Sequence, residues 1–208
     1  MTPLILTPED DLGPFVSALA GGDAVILPTD TVYGLASAAH LPEACARMLA
    51  SKARDLSKPT SIIVGSVDVL FSEVLPELDG RVATQVRRLL PGGVTVVVPN
   101  PAHRFAWLCG ADPSRIGLRV PLLLPSIASA IDRVGAIAAT SANLAGGPDP
   151  IAFEEVPDEI LTRVAVAIDA GPAPAGRAST VVDLTGAEPL VLRRGALSEA
   201  QITGLLVD

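Results

Sequence analysis

Apolar positions along the chain follow two rhythms. Short, nearly uninterrupted aliphatic runs recur at Ala24–Leu27, Ser61–Val64, Val94–Val98, Ile116–Val120, Ala136–Thr140, Ala165–Ile168, Thr180–Leu184 and Leu190–Arg193. Runs this short and this rich in β-branched residues predict strands, and their lack of a polar face predicts a sheet buried on both sides. Longer segments with helical spacing lie between them. Thr7-Pro8-Glu9 reads as a cap, a proline at the first helical position and an acidic first turn, which predicts a helix from Pro8 to Ala20 stopped by Gly21-Gly22. Further helices are predicted from Pro42 to about Lys52–Arg54, over Glu77–Leu90 before Pro91-Gly92-Gly93, and over Pro125–Val134, Phe153–Thr162 and Ser198–Leu205. The mixture predicts an α/β domain with a largely buried sheet, antiparallel where connections are short, as at Thr185-Gly186.

Composition narrows this picture. The 208 residues suit a single domain spanning 1–208, and 49% hydrophobic with 3% aromatic residues means a core of Ala, Val, Leu and Ile. No apolar run reaches the ~20 residues that cross a bilayer, and the N-terminus has no basic region before an apolar stretch, so a soluble, cytoplasmic protein is expected. Cys45 and Cys109 have no metal-ligand or redox spacing and are expected as reduced, buried thiols. A net charge of −8 argues against a surface devoted to a nucleic-acid backbone. Against that background, the only two lysines, Lys52 and Lys58, fall in one short segment with Arg54.

Four stretches place hydroxyl, amide or cationic residues at strand ends: PTDTVYG (28–34), SKARDLSKP (51–59), TSANLAGGPDP (140–150), and GRASTVVD (176–183) with LRRG (192–195). In open α/β sheets ligands collect where such loops converge, so the four together point to a pocket rich in anion-binding donors. Lys52, Arg54 and Lys58 read either as a solvated helix end answering the helix dipole or as a triphosphate clamp. No GxxxxGK[ST] or GxGxxG is present, so a nucleotide would be held by side chains and irregular loops. Ser141 and Asn143 form an ordinary turn or orient a ligand beside Gly146-Gly147. Arg119, inside an apolar strand, either faces solvent or meets a carboxylate of the protein or of a ligand. His40 and His103 lack partners at catalytic spacing and are expected at the surface; Trp107 is either a lid anchor or packing, and Tyr33 either lines the pocket or packs beneath it.

With these segments in view, the chain resembles the YrdC-like family, the threonylcarbamoyl-AMP synthases. PTDTVYGL, KAR with KP following, LLPGGVTVVV, GLRVP, TSANLAGGPDP, STVVD and LRRG occur in the family's order from about residue 20 to 195. The resemblance implies a twisted, open, mixed α/β sheet with flanking helices and a large concave pocket. It implies a nucleotidyltransferase that makes threonylcarbamoyl-AMP and pyrophosphate from L-threonine, bicarbonate and ATP, with Mg²⁺ on the phosphates. A separate threonylcarbamoyl-transferase system would then act on tRNA, whose contact with this chain is indirect. By resemblance, Thr29, Thr31, Arg119 and Ser179 bind threonine; Lys52, Arg54, Lys58, Ser141, Asn143 and Arg193 hold ATP, with Lys52 and Arg54 catalytic and no protein-built metal site.

The chain departs from the family pattern at Asp55 after Lys52-Ala53-Arg54, at Thr60-Ser61 after Lys58-Pro59, at Arg194 and at Gly92-Gly93-Val94-Thr95. Asp55 sets a negative charge beside the proposed clamp. Two other readings share the same concave surface: a non-catalytic RNA-binding or ribosome-associated protein, and a paralogue making a related carbamoyl-adenylate. As exposed cations, Lys52 and Arg54 are expected to tolerate alanine with little loss of fold stability.

Overall fold

The computed structural model describes residues 2–53, 55 and 57–207. The chain runs through β1 (Leu4–Leu6), α1 (Gly13–Ala20), β2 (Val25–Leu27), β3 (Gly34–Ala38), α2 (Pro42–Ser51) and β4 (Ser61–Ile63). A single helical turn, α3 (Val67–Val69), widens over Leu70–Val74 before α4 (Gly80–Leu89) and β5 (Val94–Pro99). Then come β6 (Arg115–Arg119), α5 (Pro125–Asp132), β7 (Ile137–Ser141), α6 (Asp158–Leu161), β8 (Val166–Ile168), β9 (Thr180–Asp183), β10 (Leu190–Arg193) and α7 (Glu199–Leu206).

The strands form one ten-stranded sheet in the order β1-β8-β2-β3-β7-β4-β6-β5-β9-β10. It is mixed: β1, β8 and β2 run parallel, as do β4 with β6 and β5 with β9. The pairs β2/β3, β3/β7, β4/β7, β5/β6 and β9/β10 are antiparallel. Helices cover both faces. On one, Met48 and Leu49 of α2, Val86 and Leu89 of α4, Ile160 of α6 and Ile202 of α7 pack on Ile26, Leu35, Ile62, Val94, Val96, Ile116 and Leu118. On the other, Phe15 and Leu19 of α1 and Ile127 and Ile131 of α5 pack on Val25, Leu27, Ala36, Ile63, Ile137 and Ile168.

Four local expectations change. α1 begins at Gly13, because Asp10 accepts hydrogen bonds from the Thr7 N–H (2.7 Å) and hydroxyl (2.9 Å), closing a turn where a helix was expected to start. β1 and β3 are strands that the apolar pattern did not announce. β3, Gly-Leu-Ala-Ser-Ala, has weak strand propensity and is held by pairing with β2 and β7 on both sides. The helix expected over Phe153–Thr162 is interrupted at Pro157, leaving a short turn over Phe153–Glu155 and then α6.

Side-chain alternation sets the site. On β5, Val94, Val96 and Val98 enter the α4-side core, while Thr95 and Val97 face the opposite way. On β6, Ile116 and Leu118 enter that core and Arg115, Gly117 and Arg119 point back with Thr95. α1 packs on β8, β2 and β3; farther along the same face, β4, β6, β5 and β9 floor a concave cavity.

Candidate functional site

That cavity has a volume of about 550 Å³. All four polar stretches contribute: Thr29, Val32, Tyr33 and Gly34 from the first, Ser57 and Pro59 from the second, with Thr60 and Ser61 just after it, Thr140, Ser141 and Asp149 from the third, and Ala178, Ser179 and Arg193 from the fourth. Backbone hydrogen bonds tie the loops together, from Tyr33 N–H to Pro150 O (2.8 Å), Ala142 N–H to Tyr33 O (2.9 Å) and Ala175 N–H to Asp30 O (3.0 Å).

The hydroxyls of PTDTVYG order their own turn. The Thr29 hydroxyl donates to Val32 O (2.7 Å) and accepts from the Thr31 and Val32 N–H groups, each at 3.2 Å. Thr31 lies 3.0 Å from it, so the Thr31 hydroxyl donates to Thr29 and is free to accept from Arg119 Nη2 at 2.6 Å. Thr29 lines the cavity; Thr31 is fully buried behind Arg119. Tyr33 also resolves. It is fully buried, its ring packed against Phe153 in the α2- and α4-side core, and its hydroxyl donates to Gly171 O (2.7 Å) and accepts from Ala170 N–H (3.1 Å), clamping the 169–171 loop. Burial pushes the phenol up to about 12.

Arg119 meets a protein carboxylate that sequence reasoning did not single out. Its Nη2 pairs with Asp30, and the residue is 6% exposed. Burial pulls the guanidinium below its ordinary range; Asp30 opposes that shift, and Arg193 adds to it. The group stays a cation. Two arginines that feel each other across one cavity favour an anionic ligand. Moreover, the buried Nε atoms of Arg119 and Arg115 and the Thr60 hydroxyl have no hydrogen-bond partner among the described residues, and all three residues line the cavity. Each such unmet group costs about 1–3 kcal/mol, so the cavity presents polar groups whose hydrogen bonding the described residues leave incomplete.

Lys52 corrects the reading of an exposed helix end. It is 2% exposed, and its Nζ donates to Ser141 O (2.7 Å), Asn143 Oδ1 (3.0 Å) and Thr140 Oγ1 (3.2 Å). The ammonium sits behind the Thr140–Ser141 wall and knits the end of α2 to the loop after β7. Asn143 is buried too, accepting also from the Ser141 hydroxyl (2.7 Å) and donating to Gly147 O (2.6 Å). Ser141 reaches the cavity. Lys58 is exposed, and Arg54 lies outside the described residues. The Asp55 carboxylate accepts from Ser57 N–H (2.9 Å), which gives that departure a role in shaping the turn.

At the opposite wall, Arg193 Nη2 donates to Ser179 O (2.8 Å) and Ser179 Oγ (3.1 Å), and Ser179 Oγ lies 2.8 Å from Thr95 Oγ1. Gly195 makes this possible: a Cβ there would sit 2.3 Å from Ala178 O and 2.4 Å from Ser179 C. Arg115 pairs with Asp183, whose carboxyl burial raises but whose bonds from Thr185 and Arg115 lower it further, leaving it below the usual carboxylate range. Asp30, Thr95, Arg115 and Asp183 were not among the sequence candidates. Arg115 and Arg119 share one strand face by their spacing of four, and Thr95 interrupts a run of valines; both signals were present in the pattern.

His40 and His103 are exposed, as expected. Cys45 and Cys109 are buried free thiols, raised by burial, with Cys109 in the cavity wall. Trp107 donates to Ala39 O (3.1 Å) and meets Phe105 edge-on, so it packs beside β3 and is absent from the cavity wall. Arg194 makes an exposed pair with Glu199. No helix among the described residues is long and apolar enough to cross a membrane.

Comparisons with known proteins match nearly the whole chain. The family model Sua5_yciO_yrdC, described as telomere recombination, matches residues 17–195. A putative threonylcarbamoyl-AMP synthase of Mycobacterium tuberculosis strain H37Rv is 37% identical over 191 residues, 92% of this chain and 87% of that protein. The threonylcarbamoyl-AMP synthase of Bacillus subtilis is 27% identical over 99% of this chain and 59% of its own length. The crystal structure of P. abyssi Sua5 complexed with L-threonine superimposes with a TM-score of 0.85 at 27% identity, covering 99% of this chain. This chain spans only 61% of that Sua5 chain. E. coli YciO, at 21% identity and a TM-score of 0.80, shares the fold over 97% of this chain and 99% of its own.

Proposed function

The chain belongs to the Sua5/YciO/YrdC family, and from that premise we propose that it is a threonylcarbamoyl-AMP synthase, a nucleotidyltransferase using ATP, L-threonine and bicarbonate. The observation that carries the proposal is the buried Arg119, held by Asp30 and Thr31 on the floor of a cavity whose other wall presents Arg193. A guanidinium with its orientation already fixed suits a small carboxylate. Threonine enters with its carboxylate on Arg119 and its body against Thr29 and Ser179, while Thr31 acts through Arg119 as a positioning residue.

The threonine amine adds to the carbon of CO₂ supplied by bicarbonate and loses a proton to solvent, giving a carbamate. A carbamate oxygen then attacks the α-phosphorus of ATP, the bond to the bridging β-phosphate oxygen breaks, and pyrophosphate leaves. Positioning and positive potential supply the acceleration, so no catalytic histidine is required. Arg193 and Ser141 face the nucleotide directly; Asn143 and Lys52 hold the Ser141 loop in place and add the potential of a fixed ammonium. Arg54 and Lys58 complete the phosphate contacts in this scheme. Mg²⁺ would come with the triphosphate and would neutralise charge on its phosphate oxygens. A separate transferase system consumes the product on tRNA.

The test is pyrophosphate release by the purified chain with ATP, Mg²⁺, threonine and bicarbonate. Release that requires both threonine and bicarbonate is expected; a folded protein that releases none under these conditions overturns the proposal.

A further inference from the structure

A row of side chains crosses the cavity floor at one level of the sheet. Ile63 of β4 pairs with Arg119 of β6, and Thr95 of β5 pairs with Val181 of β9. The antiparallel register that sets Val97 opposite Gly117 and Val96 opposite Leu118 brings Thr95 opposite Arg119 at its next step. Apolar, cationic, hydroxyl and apolar groups therefore stand side by side, and all four residues line the cavity. Directly opposed residues of an antiparallel pair have Cβ atoms about 4.5–5.5 Å apart, so a small molecule held by Arg119 lies within reach of Thr95.

A chain of hydrogen bonds lies beside it. Arg193 can only donate, and it donates to Ser179 Oγ at 3.1 Å. Ser179 Oγ and Thr95 Oγ1 are 2.8 Å apart, which takes one of the two hydroxyl protons. Ser179 Oγ has two lone pairs, so it can accept from Arg193 and still either donate to or accept from Thr95; in both arrangements Thr95 keeps one hydrogen-bonding position, an O–H proton or a lone pair, for a hydroxyl in the cavity.

We propose that Thr95 is a specificity-determining residue that reads the side-chain hydroxyl of a β-hydroxy amino acid whose carboxylate lies on Arg119. The inference rests on the amino-acid site of the preceding section and adds to it the group that tells threonine from its isostere valine. Thr95 is neutral and at the end of the chain farthest from the Arg193 charge, which matches a neutral hydroxyl. Ile63 and Val181, at the two ends of the row, provide the apolar contact for the β-methyl.

Isothermal titration of the folded chain with threonine, serine and valine tests the proposal, using T95V, T95S and the unaltered protein, with ATP binding measured alongside. A site built around a hydroxyl contact is expected to prefer threonine over valine by more than about 10-fold. In T95V threonine binding falls about 3- to 10-fold, valine binding is unchanged or improved, and the preference collapses; T95S keeps it, and ATP affinity holds in all three. Should T95V fail to fold, T95S against T95A makes the same comparison through one oxygen. A folded T95V, or T95A, that keeps the original threonine-to-valine ratio overturns the role of Thr95 alone. An unaltered protein that binds ATP but none of the three amino acids overturns the amino-acid reading beneath it.

Discussion

Replacing Lys52 by Met keeps most of the unbranched stem and removes the ammonium that joins α2 to the Thr140–Asn143 segment. Three hydrogen bonds disappear, at 2.7, 3.0 and 3.2 Å. Bonds to a charged group contribute about 1.5–3 kcal/mol each, but these share one donor and do not add. Asn143 Oδ1 keeps the Ser141 hydroxyl, and the loop keeps the backbone bond from Ala145 N–H to Lys52 O at 3.1 Å. Weighing the lost bonds against what remains, the expected destabilisation is about 3 kcal/mol. For a chain of this size that lowers Tm by about 6–12 °C. Thermal unfolding followed by circular dichroism measures it, with urea midpoints as a check. The same variant is expected to bind ATP more weakly even well below its Tm, because the Ser141 loop loses its anchor. A Tm within 2 °C of the unaltered protein would show that the ammonium is solvated, as the sequence alone suggested, and would refute the argument.

Two further variants probe the walls of the site. Tyr33→Phe removes the hydroxyl that clamps the 169–171 loop and is expected to cost about 1 kcal/mol at neutral pH. Because folding raises the Tyr33 phenol from about 10 to about 12, its contribution is intact below pH 10 and is lost as pH rises through about 12. Alkaline unfolding over that window should therefore flatten in Tyr33→Phe, and identical alkaline profiles would contradict the assignment. Gly195→Ala drives a Cβ into the backbone at Ala178 and Ser179; a loss of about 1–3 kcal/mol is expected, together with weaker ATP binding as Arg193 leaves Ser179. Urea denaturation and nucleotide titration read both effects, and an unchanged affinity would separate Arg193 from the nucleotide.

Much of the architecture was written in the periodicities. The aliphatic runs of β2, β4 to β10 and the proline-started helices α2 and α5 lie within a residue or two of their predicted positions, because burial on both faces of a sheet demands such runs. β3 was hidden, since Gly-Leu-Ala-Ser-Ala becomes a strand only between two partners that supply its hydrogen bonds. Pro157 broke a helix that hydrophobic spacing alone would have continued. The order of the strands, with β7 between β3 and β4, follows from long-range pairing that no local pattern encodes.

For the site, the convergence of PTDTVYG, TSAN, STVVD and LRRG was legible as polar residues at strand ends, and the family followed from their order. The chain by itself also marked Arg119, a charge in an apolar strand, as either facing solvent or meeting a carboxylate. Only the tertiary structure decided that the partner is Asp30, that Thr31 stands behind Arg119 and not in the cavity, and that Lys52 is a buried tie. The physical reason is common to all three. Sequence fixes which groups can donate or accept and which must leave water, but a partner's identity depends on which strand lies alongside, and pairing across 88 or 89 residues of chain is settled by the packing of the whole sheet.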